Sequence, residues 1–419
     1  MESNPPTRTG VPFRQSERSA NDELVTVIVP ARNEERFIAR CLDSILEQDE
    51  PNLQVVVVDG ASTDRTAEIV RSYSGRDARV ELIANPDGIT PKSLNLAVAA
   101  ARGVWLVRVD AHATVPSTYV STAVSHLRSG RWGGVGGRKD GVGITPAGRA
   151  VAAAMSSRFG VGNSVYHYGG EVRTVEHIPF GAYPTALVRA LGGWDERCLV
   201  NQDFEFDYRV RAGGQELLFD PALSIDWHCR QSIGDLFRQY RRYGRGKTLV
   251  ARLHPESIRL RHLTAPALLL WLGAAAVLSV RKPLWSAAAV APYALGVAAA
   301  SAITARRLED PAARPFVPAA FVAMHIGWGI GFWEGIGGAV ADAIRHPARR
   351  GRLEPKASIV DQTPVDSRTD GDGETEVRGR AYRPNPSASG LVGRKPSQPE
   401  TESNSGFTAT LPPPSRTRP

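Results

Sequence analysis

Four short runs of apolar, mostly β-branched residues recur within the first 110 positions of the chain. They occupy residues 24–29, 55–58, 79–84 and 104–109, and the segments between them repeat apolar positions at helical spacing. Strands that alternate with helices in this way form a parallel sheet with right-handed crossovers. The pattern therefore predicts an α/β fold whose sheet is doubly wound, Rossmann-like and mostly parallel.

The pattern changes near residue 262, where long apolar runs replace the short ones. These runs cover residues 265–280, 284–303 and 316–344, and arginine-containing segments separate them. A membrane-spanning helix needs about 20 such residues, so the second run is long enough and the first is marginal. The third contains Glu334 and many glycines, which favours a broken or partly interfacial helix. We predict a transmembrane region over residues 262–345 with two to three helices.

The two ends of the chain fit neither pattern. Residues 1–22 and 346–419 are rich in Pro, Ser, Arg and Glu, which predicts disordered tails. Because residues 1–22 contain no apolar stretch, they do not resemble a signal peptide. We therefore expect a multi-pass protein of the cytoplasmic membrane, with the domain of residues 23–255 facing the cytoplasm.

Charge and cysteine content narrow the possible partners. The formal net charge is +8, but the chain lacks the interleaved aromatic and basic residues of nucleic-acid-binding modules. We expect no nucleic-acid partner and, instead, an anionic membrane surface. Three cysteines, Cys41, Cys198 and Cys229, are too few and too scattered for a disulfide framework, which indicates a reducing compartment.

Polar residues follow the predicted strands, where open α/β sheets bind their ligands. The first strand is expected to end at Pro30, and the loop Pro30–Glu34 follows it. This loop lacks the G-x-G-x-x-G of dinucleotide-binding folds, which argues against a dehydrogenase. Asn33 is predicted to cap the next helix. Asp59 follows the second strand and can hydrogen-bond a base or ribose, whereas Asp64 is better explained as a helix cap.

The fourth strand ends in Asp110-Ala111-His112. A carboxylate and an imidazole two positions apart can share one divalent cation, and that cation could hold the diphosphate of a nucleotide. A strand that simply ends in a polar loop is the alternative. Lys92, near the start of a predicted helix, suits a phosphate, and a solvated lysine is the alternative there.

A second polar group begins at Asn201. Asp203 lies at the start of a predicted helix, where it is either a cap or a base that faces the cleft. Glu205, Asp207 and Arg209 are predicted to form an ordinary charged helix surface. Further along, residues 239–247 form either a basic helix before the membrane or a phosphate contact through Arg242 or Lys247.

Four of these motifs, in this order, resemble the inverting glycosyltransferases of family two, which have the glycosyltransferase-A fold. The motifs are Val27–Glu34, the Val-Val-Asp-Gly-x-Ser-x-Asp stretch that ends at Asp64, Asp110-Ala-His112 and Gln202-Asp203, and the resemblance covers residues 24–250. The segments Phe-Gly-Val-Gly-Asn, Asn-Gln-Asp-x-Glu and Gln-Tyr-x-x-Tyr-Gly are most similar to membrane-bound glucosyltransferases of succinoglycan-type exopolysaccharide assembly.

The resemblance implies transfer of a sugar from a UDP-sugar, with UDP-glucose the leading candidate, to a lipid-linked or polysaccharide acceptor in exopolysaccharide or cell-envelope glycan synthesis. It implies that Asp203 is the catalytic base and that Asp110 and His112 bind the metal. Because imidazole suits later transition metals, we expect Mn²⁺ to be favoured over Mg²⁺. The predicted nucleotide-sugar site comprises Pro30, Arg32, Glu34, Asp59, Lys92 and Asp110. Further candidates for acceptor or phosphate contacts are Gln202, Gln239 and Arg242.

Three positions depart from the family pattern. His112 stands where most members have an acid, and Gln202 where many have Glu. Tyr243 replaces the Trp of the Gln-x-x-Arg-Trp element of processive synthases, which argues against processive polymerisation.

Two other functions remain as alternatives. A sugar-phosphate nucleotidyltransferase would carry a Gly-rich basic loop where this chain has Pro30–Glu34. A non-catalytic membrane scaffold is the second alternative, and the joint presence of Asp59, Asp110 and Asp203 argues against it.

Overall fold

A computed structural model of the protein describes residues 23–345, so both predicted tails lie outside the described residues. Within that range nine strands form one sheet. They are β1 (Val25–Ala31), β2 (Leu53–Asp59), β3 (Val80–Ala84), β4 (Trp105–Arg108), β5 (Ala113–Thr114), β6 (Trp132–Val142), β7 (Arg173–Val175), β8 (Ala182–Pro184) and β9 (Glu216–His228). Their order across the sheet is β3-β2-β1-β4-β8-β6-β9-β5, and β7 pairs with β9.

Helices connect the strands and follow the sheet. They are α1 (Ile38–Leu46), α2 (Thr66–Ser74), α3 (Thr90–Ala100), α4 (Tyr119–Arg128), α5 (Pro146–Met155), α6 (Arg158–Val161), α7 (Thr185–Ala190), α8 (Gln202–Ala212), α9 (Ile233–Leu253), α10 (Leu260–Ser279), α11 (Pro283–Arg306) and α12 (Val317–Arg345). An α/β domain is thus followed by long apolar helices, and the predicted fold class is confirmed.

The first half of the sheet is parallel, as the apolar pattern predicts. Strands β3, β2, β1 and β4 pair in parallel, with Val27 opposite both Val55 and Val107. Every residue of β2 is buried, because helices cover both faces of a parallel sheet and so select continuous apolar strands. The carboxyl ends of β1, β2 and β4 therefore lie side by side.

The second half of the sheet is mixed. Strand β8 is antiparallel to β4 and β6, whereas β6 is parallel to β9. The glycines of β6 allow close packing there, since a Cβ on Gly137 would lie 1.9 Å from the Leu223 oxygen. Beyond residue 130 the chain no longer shows the regular alternation of apolar strands and helices that predicts parallel pairing, so the pattern does not predict the antiparallel additions.

Two expectations about the first loops are corrected by the structure. Strand β1 continues past Pro30 to Ala31, because it still pairs there with β2. Asn33 does not cap α1, which begins at Ile38. Instead Asn33 has a left-handed backbone (φ 56°), and its Oδ1 accepts a hydrogen bond from the Thr63 N–H at 2.8 Å. Asp64 lies one position before Arg65, the N-cap residue of α2, and its Oδ1 accepts from the Thr66 N–H at 2.9 Å, so its side chain pairs the first N–H of the helix.

Three helices, α10, α11 and the segment that contains α12, are long and apolar enough to cross a membrane. The protein itself buries 17% of the apolar window in each of the first two and 50% in the third. Phe321 and Met324 of α12 belong to the same core as Val29 of β1. The expectation of a broken third helix is wrong, because α12 is continuous from Val317 to Arg345. Several of its glycines permit close packing on α9, since a Cβ on Gly331 would lie 1.8 Å from the Arg241 oxygen.

Candidate functional site

The loops that follow the first parallel strands meet at one edge of the sheet. The Gly60 N–H donates to the Ala31 oxygen at 2.7 Å, and Arg32 Nη1 donates to the Gly88 oxygen at 2.8 Å. Gly88 has φ +64°, a left-handed backbone that favours glycine, and a Cβ there would lie 3.0 Å from the Gly60 oxygen. The exposed Arg32 side chain therefore lies beside the end of β2.

Asp59 lies at the end of β2 and has one unused acceptor. Its Oδ2 accepts from the Ser62 N–H at 3.2 Å. Its Oδ1 is buried and has no hydrogen-bond partner among the described residues. Buried carboxylate oxygens are normally paired, so this atom can accept a hydrogen bond from a bound ligand, as expected for a base or ribose contact.

Arg108 joins the two carboxylates that the sequence analysis singled out. Its Nε donates to Asp110 Oδ1 at 2.9 Å, and its Nη1 donates to Asp203 Oδ1. The Arg108 side chain is only 4% exposed. Sequence reasoning missed this residue, although a charged side chain inside an apolar strand is a usable signal because it must find partners when buried.

Asp203 does not cap α8. Its Oδ1 accepts hydrogen bonds from Arg108 and from Trp194 Nε1, the latter at 3.1 Å, and the N-cap position belongs to Asn201. Burial raises the pKa of the Asp203 carboxyl above its ordinary value; the charge of Arg108 opposes this rise and that of Asp110 adds to it. A half-buried carboxylate with raised proton affinity is suited to general base chemistry.

Glu205, Asp207 and Arg209 of α8 are buried, so the prediction that they form a charged helix surface is wrong. Arg209 makes two hydrogen bonds to Glu205, at 2.7 and 2.8 Å, and two more to backbone oxygens. Asp207 accepts from Tyr183 Oη and the Ile178 N–H. Charged residues on a helix can face the core when each finds a partner there, and these partners fix the helix that carries Asp203.

His112 has a partner at each ring nitrogen. Its Nε2 lies 2.7 Å from Trp227 Nε1 and its Nδ1 lies 3.0 Å from Glu34 Oε1. An indole N–H can only donate, so Nε2 is the acceptor and Nδ1 carries the proton that is donated to Glu34. A carboxylate that orients the far nitrogen of an imidazole is the usual support of a metal-binding histidine.

The donor set at Asp110 and His112 is chemically suited to a divalent cation. Asp110 has a carboxylate oxygen, Oδ2, outside its bond to Arg108, and His112 presents a lone pair at Nε2. Trp227 occupies that lone pair and would have to release it. Between residues 23 and 345 no group of three or more His, Cys, Asp or Glu side chains is arranged to hold a metal. A cation here would need further ligands from outside the protein.

Lys139 of β6 is a second cleft residue that the sequence did not reveal. Its Nζ lies 3.5 Å from the ring centroid of Trp227. Burial lowers the pKa of Lys139 to about 8, and the charges of Asp110 and Asp203 oppose that lowering. The residue therefore adds a cation beside the two carboxylates.

The other candidates lie further from this cluster. Lys92 pairs with Asp87 near the start of α3, which favours the solvated alternative. Gln239 donates to Tyr243 Oη at 2.9 Å, and its own Oε1 is buried without a hydrogen-bond partner in the described part of the chain. Gln202 is half-buried at the first position of α8, and Arg242 is exposed on α9.

Comparison with known proteins agrees with the motif-based resemblance. Residues 26–190 match the family described as glycosyl transferase family 2. The chain is 31% identical over 333 residues to "Succinoglycan biosynthesis protein ExoA" of Rhizobium meliloti (strain 1021), which covers 75% of this chain and 97% of that protein.

Two further similarities are more distant. A Methanococcus voltae protein named "Dolichyl N-acetyl-alpha-D-glucosaminyl phosphate 3-beta-D-2,3-diacetamido-2,3-dideoxy-beta-D-glucuronosyltransferase" is 23% identical, over 55% of this chain and 74% of that protein. The solved "Mannosyltransferase PcManGT from Pyrobaculum calidifontis in complex with GDP-Man and Mn2+" is 22% identical with a TM-score of 0.46, covering 81% of this chain and 90% of that one.

Because a relative at 31% identity is matched over 97% of its length, the chain belongs to glycosyltransferase family 2.

Proposed function

We propose that the protein is an inverting transferase that moves a sugar from a UDP-sugar to a lipid-linked or polysaccharide acceptor at the cytoplasmic membrane. The single observation that carries this proposal is the Arg108 side chain, which bonds to both Asp110 and Asp203. One cleft thereby contains a carboxylate for the donor side and a carboxylate for the acceptor side. UDP-glucose is the first donor to test.

The relatives support the choice of acceptor. One is named for succinoglycan biosynthesis, and another for transfer to a dolichyl-linked N-acetylglucosaminyl phosphate. Three helices of this chain are long and apolar enough to cross a membrane, so an acceptor anchored in lipid would reach the cleft from the bilayer. The product would enter exopolysaccharide or cell-envelope glycan synthesis.

The donor would bind at the carboxyl ends of β1, β2 and β4. The unpaired Oδ1 of Asp59 accepts a hydrogen bond from the base or ribose, and Pro30, Arg32 and Glu34 line the neighbouring loop. Lys92, paired with Asp87, contributes less than the sequence pattern predicts.

On the acceptor side, Asp203 removes the proton of the attacking hydroxyl. The acceptor oxygen forms a bond to the anomeric carbon, the bond from that carbon to the diphosphate oxygen breaks, and UDP leaves. One displacement inverts the configuration. A positioned base of this kind typically contributes a factor of about 10² to 10⁴ to the rate.

The side of the cleft that holds the departing diphosphate requires positive charge. Asp110 and His112 Nε2 would hold a divalent cation, and such an ion neutralises the charge that develops on a departing diphosphate. Lys139 adds a cationic side chain in the same cleft. Because one of the two protein ligands is an imidazole, we expect Mn²⁺ to support higher rates than Mg²⁺.

The α/β domain is proposed to face the cytoplasm. Cys41, Cys198 and Cys229 are buried and free, which suits a reducing compartment. The three apolar helices then make the protein multi-pass.

Substitution of the two acids tests the assignment in the purified full-length protein. Asp203→Asn should lower sugar transfer by a factor of about 10² or more while UDP binding is unchanged. Asp110→Ala should abolish metal-dependent UDP binding. Asp77→Asn, which alters a partly exposed ion pair with Arg79, serves as the control. Loss of UDP affinity in Asp203→Asn, or unchanged affinity in Asp110→Ala, would contradict these roles.

A further inference from the structure

A group of cationic side chains lies where the α/β domain meets the first apolar helix. This basic cluster consists of Arg211 of α8, Lys247 of α9, and Arg259 and Arg261 at the start of α10. The charges of the three arginines all act on Lys247. The cluster therefore brings together residues from three separate helices.

Two members of the basic cluster have a buried donor atom with no hydrogen-bond partner among the described residues. The Lys247 side chain is fully buried, and its Nζ has no hydrogen-bond partner among the described residues. That atom lies 3.1 Å from the ring centroid of Phe204. Arg211 Nε is likewise buried and without a hydrogen-bond partner in the described part of the chain. Buried cationic groups normally have an anionic partner.

Acidic side chains in the neighbourhood do not balance this charge. Arg259 donates to Glu176 Oε1 at 3.1 Å and Arg261 donates to Glu176 Oε2 at 2.7 Å, so two guanidinium groups share one carboxylate. Asp207 of α8 is already bonded to other partners. Burial and the charge of the nearby Arg261 together lower the pKa of Lys247 to about 6, so the amine is largely neutral at pH 7 until an anion binds beside it. An anion between these residues would supply the missing partner.

The position of the basic cluster indicates which anion. Phe204, which Lys247 contacts, is adjacent in the chain to Asp203, the proposed base. Arg259 and Arg261 flank the first residue of α10, which is long and apolar enough to span a membrane. An anion bound here would lie beside the acceptor side of the cleft and at the edge of the apolar helices.

We propose that Arg211, Lys247, Arg259 and Arg261 bind the phosphate or diphosphate that joins the acceptor sugar to its lipid. Guanidinium groups match phosphate oxygens in geometry, and a buried ammonium adds a point charge. This inference rests on the proposed function, because it assumes that a lipid-linked sugar reaches Asp203. Glu176 then competes with the phosphate for Arg259 and Arg261.

The test uses the full chain in phosphatidylcholine nanodiscs and measures binding of geranylgeranyl diphosphate. Lys247→Met keeps the apolar stem and removes a buried amine, so it should fold. It should weaken binding by about tenfold or more, the ratio expected for one charge-assisted hydrogen bond, as should Arg261→Gln. Glu176→Gln should tighten binding, a gain that misfolding cannot produce. Arg238→Gln, on the outer face of α9, is the matched control and should bind as the wild type does.

Two further probes identify the source of the anion. Soluble pyrophosphate should bind more weakly but with the same order of variants. When phosphatidylglycerol replaces the prenyl lipid in the nanodiscs, all variants should bind phosphatidylglycerol equally. If phosphatidylglycerol reproduces the differences, the cluster is a bilayer anchor and the proposal is overturned. Equal binding of geranylgeranyl diphosphate by all variants would also overturn it.

UDP binding, measured in parallel, separates this inference from the proposed function. All the variants should bind UDP as the wild type does. A wild-type protein that binds the prenyl diphosphate but neither binds UDP nor transfers sugar would refute the proposed function and leave the lipid-phosphate site supported.

Discussion

The buried ion pair of α8 permits a quantitative prediction. Glu205 is 0% exposed and Arg209 2% exposed, and His254 Nε2 also lies 2.9 Å from Glu205 Oε1. Replacing Arg209 with Met removes the guanidinium that makes two hydrogen bonds to Glu205. The variant retains a buried carboxylate with His254 as its remaining side-chain partner.

The expected cost follows from these contacts. Breaking a buried ion pair by removing one partner destabilises a protein by about 3–5 kcal/mol. Arg209 also donates to the Leu191 oxygen at 2.6 Å and the Gly193 oxygen at 2.7 Å, and each buried acceptor left unpaired adds about 1–3 kcal/mol. We therefore expect Arg209→Met to lower the free energy of unfolding by at least about 3 kcal/mol.

A double-mutant cycle isolates the pair. Glu205→Met combined with Arg209→Met removes both charges, so the double variant should be more stable than the sum of the single effects predicts. The double variant should not regain the full stability of the wild type, because the Leu191 and Gly193 oxygens still lack their donors. Arg65, just before α2, and Glu68 in the first turn of α2 form an ion pair of the same chemistry, but they are 70% and 64% exposed. The same cycle there should therefore give no measurable coupling.

Denaturant unfolding of the full chain in detergent, followed by tryptophan fluorescence, measures these differences. Trp194, one of the eight tryptophans, stacks on Phe206 of α8 at 4.8 Å. Although burial raises the pKa of Glu205, hydrogen bonds from His254 and Arg209 outweigh it, and the pKa is lower than that of an ordinary glutamate. The stabilisation is therefore complete above the pKa of the unfolded chain and is lost as the pH falls through the lower folded pKa, so the difference in stability between wild type and Arg209→Met should narrow in acid. Equal stability at pH 7 would refute the reasoning.

Three other outcomes are expected. The charge of Arg108 partly offsets the raised pKa of Asp203. Arg108→Met should therefore move the acid limb of the pH–rate profile for sugar transfer to higher pH by about one to three units. An unmoved acid limb would argue against Asp203 as the base. Trp227→Phe removes the N–H that occupies an imidazole lone pair, so calorimetry should detect tighter Mn²⁺ binding, and unchanged affinity would exclude that nitrogen as a ligand. Gly331→Ala, whose Cβ would meet a backbone oxygen of α9, should destabilise the protein by about 1–3 kcal/mol, whereas Gly337→Ala meets nothing within 4 Å and should unfold with the wild type.

The sequence alone determined the features that depend on local pattern. Continuous apolar runs identified the four parallel strands, since a strand buried on both faces needs no polar position. The same runs placed Asp59 and Asp110 at one edge of the sheet, because parallel strands share their carboxyl ends. The side chain of Asp64 was recognised as a partner for the start of a helix, and the long apolar runs near the carboxyl end of the described range were recognised as candidate membrane helices.

Only the tertiary structure decided which side chains meet. Arg108 and Asp203 lie 95 positions apart, and His112 and Trp227 lie 115 apart, so no local spacing could pair them. Glu205 and Arg209 have the helical spacing of a solvent-exposed ion pair, and nothing in that spacing distinguishes exposure from burial. Local pattern fixes the backbone through periodicity, whereas partners of buried charges depend on which elements the fold packs together. That packing joins the proposed base, its arginine and the basic cluster in one region of the protein.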